Sequence, residues 1–443
     1  MATVSRASKP AHPREAIWPG LQTGVPKPLM PYSPAIRAGE WLFIAGTIAS
    51  DFNTGLAPEV RDAPPHMLEP LAVQSRYVLR NLLNTIRAAG AVPDDDMVRI
   101  WQWPVSEHPT PEECARGQLL TGIELTPYLQ VRRAMLEKLI PPSSELGVRE
   151  LLCRGTQIEV EMICRMDGLT NVCVGDPVAG YGHAPGVRRG DWIFLAAQSG
   201  EPPDADAALA SDWLDAPVEA QADAALAKLE TLAALAGSSL SRAVKAEVYI
   251  GHARDFAALD RVWRRWFPSN PPARIVIPNV GMGRRGARVQ IALTLLTNNS
   301  ALPMATIETS AAPPPLGHEP QAMRAGDLLF FSGQMAYAAG GALADKMVRH
   351  PDFPWYGSPG QAQMRYMMKN VSAICEAAGT SVDQICRRAC FHSDFQWFAE
   401  SIEEWARWFP DDKPASTTLR IGGPLVVAGA NTLLDLTAYV PAR

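Results

Sequence analysis

An arginine that follows a rigid proline segment is the first candidate for chemistry in this sequence. Arg274 comes directly after Pro271-Pro272-Ala273 and begins an apolar run that predicts a strand. A guanidinium group binds a carboxylate through two parallel hydrogen bonds, which orient the anion as well as hold it. The segment therefore predicts a carboxylate-binding arginine. The alternative is an ion pair between Arg274 and acids of its own chain.

Two glutamates on one predicted strand are the second candidate. Glu159 and Glu161 alternate with apolar residues, so both side chains lie on the same face of the strand. Two carboxylates in a buried cleft repel each other, which raises one pKa and supplies a general acid or base. A solvated strand face is the alternative interpretation.

Rings with a polar tip recur at one position ahead of a predicted strand. This position holds Tyr32 first, then His183 and, with one residue of slack, His318. Histidine titrates near neutral pH and can transfer a proton to a leaving amine, although a loop histidine bound to backbone is the alternative. A second set follows three other predicted strands: His108, His252 and His392. No carboxylate pattern accompanies this set, so we predict no metal and no cofactor.

Three copies of one sequence template position these residues. The template reads small, any, Arg, any, Gly, acid and then an apolar strand that ends in small residues; it occupies 35–46, 185–197 and 322–333. Downstream, each copy has a helical apolar pattern between a glutamine and a glycine: Gln74 to Gly90, Gln221 to Gly237 and Gln363 to Gly379. Glycine at these ends suits a left-handed C-terminal cap. An internal repeat of this kind sets the architecture before any single element does.

Each copy predicts the element order β-β-α-β-α-β, an α+β unit with a mostly antiparallel sheet and two helices on one face. The uncovered faces of three such sheets can bury one another around a pseudo-threefold axis. This predicts a single-chain pseudotrimer with a central barrel-like core. We predict units at 28–168, 169–298 and 315–443, because small, polar and proline residues accumulate between them. The first unit carries an insertion at about 107–125.

Composition narrows the classes of protein. The length of 443 residues and the hydrophobic fraction of 47% fit about three ordinary domains of a compact soluble protein. A net charge of −5 over the whole chain gives no reason to expect nucleic acid. No signal-peptide pattern is present, and no run approaches the ~20 apolar residues of a membrane span. Seven scattered cysteines without paired metal spacing indicate a reduced, cytoplasmic protein.

Taken together, these motifs resemble the Rid (YjgF-type) family of reactive-intermediate deaminases. The resemblance rests on the Tyr32-Ser33-Pro34 opening, the strand end at Gly333-Gln334, the segment before Arg274 and the closing strand with Glu159. Members of that family are usually homotrimers with active sites at subunit interfaces, where they hydrolyse imines and enamines to ketones and ammonia. The resemblance implies that Arg274 holds a substrate carboxylate and that a closing-strand glutamate positions the attacking water.

The three copies keep the family residues unevenly. The arginine position holds Arg274 in the second copy, and we align it with Ser416 in the third and Ser144 in the first. The glutamate position is aligned as Glu159, Gln290 and Asp435. A glutamine holds water but cannot accept its proton at neutral pH, whereas an aspartate can accept it with a shorter reach. No copy keeps both residues, which predicts clefts of unequal function.

These observations predict a metal-independent hydrolase that acts on the C–N bond of a small nitrogen-containing carboxylic acid in an inter-domain cleft. The candidate catalytic residues are Glu159, His183, His318 and Asp435. The candidate binding residues are Arg274, Tyr32, Gln290 and, through backbone amides that face developing negative charge, Gly46 and Gly333. The predicted partner is a small carboxylate, with no nucleic acid and no membrane, and the chain acts as a monomeric pseudotrimer that can assemble further.

Two alternatives stay open at this point. One is a non-catalytic, ligand-binding or regulatory pseudotrimer, because no copy keeps the complete catalytic pair. The other is a chorismatase-like hydrolase of a cyclic carboxylate, which rests on fold analogy alone.

Overall fold

The computed structural model describes residues 14–63, 69–106, 125–136, 138–200, 216–283 and 286–441. Apart from Leu125, the insertion predicted at 107–125 lies outside these residues, as does His108. The strands are β1 (Glu15–Ile17), β2 (Ala35–Ala38), β3 (Trp41–Thr47), β4 (Met97–Pro104), β5 (Ser143–Gly147), β6 (Glu150–Leu151), β7 (Ile158–Arg165), β8 (Val172–Val174), β9 (Gly186–Arg189), β10 (Trp192–Ser199), β11 (Ala243–Ile250), β12 (Ala273–Pro278), β13 (Gly281–Met282), β14 (Val289–Leu296), β15 (Met304–Ile307), β16 (Ala322–Ala325), β17 (Leu328–Phe331), β18 (Ile385–His392), β19 (Ala415–Arg420) and β20 (Thr432–Tyr439). The α-helices are α1 (Pro58–Arg61), α2 (Pro70–Ala88), α3 (Pro93–Asp96), α4 (Thr126–Met135), α5 (Val218–Leu235), α6 (Phe256–Trp266), α7 (Pro359–Ala378) and α8 (Phe398–Ala406).

The strands form three mixed sheets. Sheet 1 has the order β1-β2-β3-β7-β4-β5-β13, sheet 2 the order β8-β9-β10-β14-β11-β12, and sheet 3 the order β15-β16-β17-β20-β18-β19-β6. One parallel pair occurs in each sheet, namely β4/β5, β11/β12 and β18/β19, and the other paired strands described are antiparallel. The sheets do not close into a barrel among the described residues, which corrects the barrel-like core predicted from the sequence.

The repeating unit has two strands more than the predicted order β-β-α-β-α-β, although a strand at Arg274 was predicted from its apolar run. A parallel strand follows the second helix of each unit, and a short edge strand precedes the first predicted strand. One of these edge strands, β15, lies within the run that we interpreted as a linker, and β8 lies in the other boundary region. We did not predict these two strands, because an edge strand has one solvated side and needs no continuous apolar pattern.

Helices cover one face of each sheet, and the other faces bury one another. Three separate apolar clusters join α2 and α4 to sheet 1, α5 and α6 to sheet 2, and α7 and α8 to sheet 3. A fourth cluster contains residues of all three sheets. Within it the Trp41 and Trp192 rings lie 4.9 Å apart edge to face, and Trp103 contacts Phe391 in the same way at 5.5 Å. Aromatic pairs in this arrangement add to the burial of apolar area.

Buried ion pairs also connect the three sheets in a cycle. A cation occupies the third residue of β4, β11 and β18, and each one binds an acid on another sheet. The pairs are Arg99 with Glu247 at 3.0 Å, Lys245 with Asp435 at 2.6 Å, and Arg387 with Glu161 at 2.5 Å. Separation of two sheets would leave buried charges uncompensated, which is costly. These ion pairs therefore help to fix the position of the three sheets relative to one another.

The recurrent glutamine holds the turn that precedes the last strand of each unit. The Gln74 side chain donates to the Gly155 carbonyl at 3.0 Å and accepts from the Gln157 amide at 2.7 Å. Gln221 and Gln363 make the same two hydrogen bonds in the other units. The terminal glycines have the predicted left-handed conformation, with φ of 80° at Gly90, 79° at Gly237 and 75° at Gly379. In the part of the chain that is described, no helix is both long and apolar enough to cross a membrane.

Candidate functional site

A recess between sheets 1 and 3, here called cleft A, brings together several of the predicted residues. Sheet 1 contributes Gly46 at the end of β3 and Glu159 on β7, while Tyr32 comes from the segment before β2. Sheet 3 contributes Arg388 on β18 and Ser416 on β19. The remaining lining is mainly apolar, from Met30, Ile48, Phe52, Leu152, Phe398 and Ile402.

Arg388 is a buried cation with an unused hydrogen-bonding edge. Its guanidinium lies 4.9 Å from the ring of Trp405, and Nη1 donates to the Ser416 hydroxyl at 3.5 Å. Among the described residues, its Nε and Nη2 have no hydrogen-bond partner and no acid forms an ion pair with it, although Arg388 lies close enough to the Cys390 thiol to oppose the rise in that thiol's pKa. These two nitrogens form one edge of the planar guanidinium, the edge that receives a carboxylate in two parallel hydrogen bonds. A buried charge left without a partner is costly, so this edge indicates a site for an anion.

Glu159 faces the same recess as Arg388. Burial, together with the negative charge of Glu161, raises the pKa of the Glu159 carboxyl well above its ordinary value, and a hydrogen bond from the Thr418 backbone opposes this shift only in part. The carboxyl lies directly against Gly46, where the β-carbon of any other residue would collide with it. A raised pKa makes the carboxylate a stronger base and favours the protonated carboxyl, which suits a general acid or base. Burial also raises the pKa of Tyr32, whose hydroxyl therefore stays protonated.

Arg274 lies in a second recess, cleft B, between sheets 2 and 3. Its guanidinium is 4.9 Å from the ring of Trp263, so the arrangement repeats that of Arg388 over Trp405. In cleft B, however, Nε and Nη2 both donate to Glu319 Oε2, at 2.9 and 2.5 Å. Nη2 also donates to Asp260 at 2.6 Å. The predicted carboxylate-binding edge of Arg274 thus carries acids of its own chain, as the alternative interpretation proposed.

Two further predicted residues of cleft B are committed to backbone contacts. The Gly333 amide donates to the Arg274 carbonyl at 3.0 Å, so it does not face developing negative charge as predicted. The His318 ring donates through Nε2 to the Phe267 carbonyl at 2.6 Å and accepts from Arg264 at 3.4 Å. These contacts match a loop histidine rather than a proton shuttle. Leu433 occupies the second position of β20, where Glu159 stands in β7, so cleft B lacks the closing-strand carboxylate.

A third cluster of polar side chains lies between sheets 1 and 2 and contains His183. Its arginine, Arg132, is paired with an acid of the chain. Arg132 on α4 donates to Glu145 at 3.3 Å, to Ser143 at 3.1 Å and to the Tyr181 carbonyl at 2.6 Å. His183 Nδ1 lies 3.5 Å from the same Glu145. Burial lowers the pKa of His183 to about 4, so the ring is neutral at physiological pH. Gln290 lies on the sheet 2 side, opposite Ser199 and Tyr249 in the strand register.

The strand register corrects two of the sequence alignments. Asp435 lies opposite Ala389 and is the fourth residue of β20, which is the position of Glu161 in β7 and not that of Glu159. It accepts hydrogen bonds from Lys245 and Arg387, and these cations keep its pKa low. Asp435 therefore belongs to the buried ion pairs between sheets and does not reach cleft A. In the first unit, the residue equivalent to Arg274 is Ser143 rather than Ser144.

Arg388 is the functional candidate that we missed in the sequence. In the second unit Arg274 lies opposite Ala246 on the parallel neighbour strand, whereas in the third unit Ser416 lies opposite Arg388. The guanidinium has thus moved from one strand to the adjacent one. Two consecutive arginines, Arg387 and Arg388, in an otherwise apolar strand were the available signal.

Of the second histidine set, His252 and His392 lie within the described residues and are occupied by other contacts. His392 is buried, and its Nδ1 lies 3.3 Å from the Thr432 hydroxyl and its Nε2 3.2 Å from the Cys390 sulfur. His252 accepts a hydrogen bond from the Arg254 amide. Within the described residues, no group of three His, Cys, Asp or Glu side chains is arranged to hold a metal ion.

The repeated fold and the inter-sheet clefts define a Rid-type protein, and comparison with known families supports this class. Residues 175–295 and 309–423, together more than half of the chain, match the family model described as Endoribonuclease L-PSP, so the chain belongs to this family, the Rid (YjgF) family that the motifs resemble. A RutC family protein of Pyrococcus horikoshii is 29% identical over 116 residues, which are 26% of this chain and 82% of that protein. Protein DfrA of Myxococcus xanthus is 30% identical over 111 residues, 25% of this chain and 80% of its own length.

The chain is also similar to solved structures. RidA from an Antarctic Psychrobacter species is 24% identical and covers 31% of this chain and 99% of its own, with a TM-score of 0.25. A chorismatase is 10% identical and covers 77% of this chain and 93% of its own, with a TM-score of 0.48.

Proposed function

We propose that this chain is a single-chain pseudotrimer of three Rid-type units, near 28–168, 169–298 and 315–443. In this proposal it is a cytoplasmic, metal-independent hydrolase that cleaves the C–N bond of a small imine or enamine carboxylate in cleft A. Support for the three-unit arrangement comes from the equal order of six strands in the three sheets, to which sheets 1 and 3 each add one short strand from another unit, and from the cycle of ion pairs that joins the sheets.

A single observation supports cleft A as the place of reaction. The unpartnered Nε–Nη2 edge of Arg388 and the carboxyl of Glu159 line the same recess, one from sheet 3 and the other from sheet 1. Clefts that contain Arg274 or Arg132 place acids of the chain against the guanidinium instead. The proposed cleft therefore pairs an anion anchor with a proton-exchanging group, which the other two do not.

The proposed chemistry uses these two groups in distinct roles. Arg388 binds the substrate carboxylate through Nε and Nη2 and thereby orients the adjacent C=N bond. Water adds through its oxygen to the imine carbon and gives one proton to the Glu159 carboxylate. Glu159 gives this proton to nitrogen, which yields a carbinolamine. Glu159 then takes the proton of the carbinolamine hydroxyl and passes it to the amino nitrogen, the C–N bond breaks as the C=O bond forms, and ammonia and the 2-oxo acid leave. The raised pKa of Glu159 assists the first transfer, because it makes the carboxylate a stronger base towards water. The Tyr32 hydroxyl remains a donor to the bound substrate.

Ammonia release from freshly generated 2-imino acids tests this proposal. We expect the wild type to accelerate release and Arg388→Ala to lose about 10- to 100-fold in kcat/KM, as expected when a charged hydrogen-bonding partner of about 1.5–3 kcal/mol is removed. Arg274→Ala is the matched control, since it removes an equally buried arginine over the equivalent tryptophan, and it should stay within about twofold.

Three results would separate the possible conclusions. Equal losses in the two variants, or a larger loss in Arg274→Ala, would contradict the assignment of cleft A. Failure of the wild type to exceed the uncatalysed rate would exclude imine hydrolysis. If the product 2-oxo acid then still binds in an Arg388-dependent manner, cleft A is a binding site without catalysis.

A further inference from the structure

Four exposed apolar side chains lie close together in the segment between β17 and α7, within residues 348–356, which we call the aromatic loop. Trp355 is 95% exposed and Tyr356 82%, while Phe353 is 64% and Val348 59% exposed. The other exposed large apolar side chains of the described residues are spread from residue 18 to residue 235. Single exposed apolar residues are ordinary at a protein surface, whereas a contiguous group with Trp and Tyr is typical of an interaction surface.

Contacts with the rest of the third unit keep the aromatic loop ordered. At its start, Met347 packs against the apolar cluster of sheet 3 and its helices. Arg349 donates through Nε to the Gly357 carbonyl at 3.1 Å, which closes the loop. Within it, the Tyr356 amide donates to the Phe353 carbonyl at 3.0 Å. The exposed rings thus belong to an ordered turn, and ordered aromatic side chains lose little conformational entropy when a partner covers them.

The first unit has no such group of side chains at the equivalent place. An isolated bridge joins Ser50 to Leu56 there and Tyr337 to Leu343 in the third unit, so the two segments begin alike. In the first unit α1 follows, and its Val60 packs against the apolar cluster of sheet 1. In the third unit the chain continues into the aromatic loop instead. The repeated fold therefore does not require the exposed rings, and their burial needs another molecule.

The charges beside the rings favour a second copy of this chain as that molecule. Residues 345–357 contain two acids and two bases, which balance to a net charge of zero with histidine neutral: Asp345, Asp352, Lys346 and Arg349. Anionic lipid surfaces and nucleic acids attract clusters of bases, which this segment lacks. A twofold axis places the same surface on both sides of an interface, and a neutral surface with both signs of charge meets its own copy without net repulsion.

The exposed area of the aromatic loop also suits a small dimer interface. An aromatic side chain buries about 150–250 Å² when it is fully covered, so the three partly exposed rings together offer roughly 350–600 Å². Two copies offer roughly 700–1,200 Å², and a specific interface needs about 1,000 Å² in total. We therefore expect a weak dimer whose population depends on protein concentration.

We propose that the aromatic loop forms the centre of a twofold interface between two copies of this chain, with Trp355 as its main anchor. Tryptophan and tyrosine are the residues that most often carry the binding energy of an interface. This inference goes beyond the proposed function and does not depend on it, because no residue of the aromatic loop lines cleft A.

Sedimentation of the full chain over a range of protein concentrations tests this inference. We expect the wild-type mass to rise from that of one chain to that of two. Trp355→Ser should raise the dissociation constant at least about 30-fold, as for a central tryptophan of an interface. Trp18→Ser is the matched control, because it removes a half-exposed tryptophan outside the loop, and it should dimerise as the wild type does. Trp355→Ser should keep the unfolding midpoint of the dilute wild type, because Trp355 is almost fully exposed.

Two results would overturn the inference: a wild type that stays monomeric up to its limit of solubility, and a dimer whose dissociation constant is the same in Trp355→Ser. Vesicles of phosphatidylcholine and phosphatidylserine distinguish another occupant. If a monomeric wild type sediments with these vesicles and Trp355→Ser does not, the aromatic loop binds a lipid surface and not a second copy.

Discussion

Clefts A and B each contain a buried arginine packed over a tryptophan, yet only the arginine of cleft B pairs with acids of its own chain. Arg274 gives its Nε–Nη2 edge to Glu319, and Arg388 leaves the equivalent edge without a described partner. In a homotrimer each substitution appears in all three clefts. The proposed single-chain arrangement does not carry this constraint, so its clefts can differ as clefts A and B do.

The comparison also shows that a guanidinium group can occupy an equivalent place in two units although the arginines stand at different positions of the repeat. Arg388 and Ser416 lie opposite each other on parallel strands, as do Ala246 and Arg274. Neighbouring strands are about 4.8 Å apart, a distance that the long arginine side chain easily spans. The guanidinium therefore reaches the same place over tryptophan from either strand.

The largest predicted effect separates two adjacent arginines of β18. Arg387 pairs with Glu161 and Asp435, so Arg387→Met should destabilise the protein by about 3–5 kcal/mol because two buried carboxylates lose a partner. Arg388→Met removes a buried charge that has no ion-pair partner, and we expect its free energy of unfolding to stay within about 1 kcal/mol of the wild type or to rise. Chemical denaturation measures both. A similar loss in the two variants would show that Arg388 is a structural cation and would remove the contrast between the clefts.

A relocation experiment tests whether the position of the guanidinium is what matters. Arg388→Ala should lower kcat/KM by about 10- to 100-fold, and addition of Ser416→Arg should recover part of this loss, because it recreates the Ala246/Arg274 arrangement in cleft A. Ser416→Arg in the wild-type background is the control and should not increase activity. No recovery in a folded double variant would mean that β18 and β19 do not deliver equivalent anchors.

The smallest predicted effect concerns the pH dependence that Glu159 gives to stability. Its pKa is raised in the folded protein by burial and by Glu161, so the folded state binds the proton more tightly than the unfolded state does. The stability that this proton binding provides is fully present below the unfolded pKa of about 4.3 and is lost as the pH rises towards the folded pKa, at up to about 1.4 kcal/mol per pH unit.

Glu159→Gln removes this titration and should therefore become more stable relative to the wild type as the pH rises above about 4.3. Denaturation at a series of pH values measures the difference between the two proteins. A difference that does not vary with pH would show that Glu159 has an ordinary pKa, and cleft A would lose its acid or base.

Much of the fold could be predicted from the sequence, because the repeated template fixes the order of the elements. The helices that end at Gly90, Gly237 and Gly379 and the central strands appear within a few residues of their predicted bounds. The edge strands β8 and β15 were missed, since their pairing depends on a neighbour strand and not on an apolar pattern of their own. Of the site, Tyr32, Gly46 and Glu159 were predicted and do converge, but on Arg388 and not on Arg274.

The sequence by itself determined the repeat, the α+β unit and the residue types from which a carboxylate site can be built, because periodicity and glycine caps act locally. Tertiary structure decided which of these residues meet. Strand register places Asp435 among the ion pairs between sheets and not in the predicted site, and the packing of residues 313–320 places Glu319 on Arg274. Such contacts join residues far apart in the chain, and their geometry depends on how whole sheets pack, which no local pattern of residues encodes.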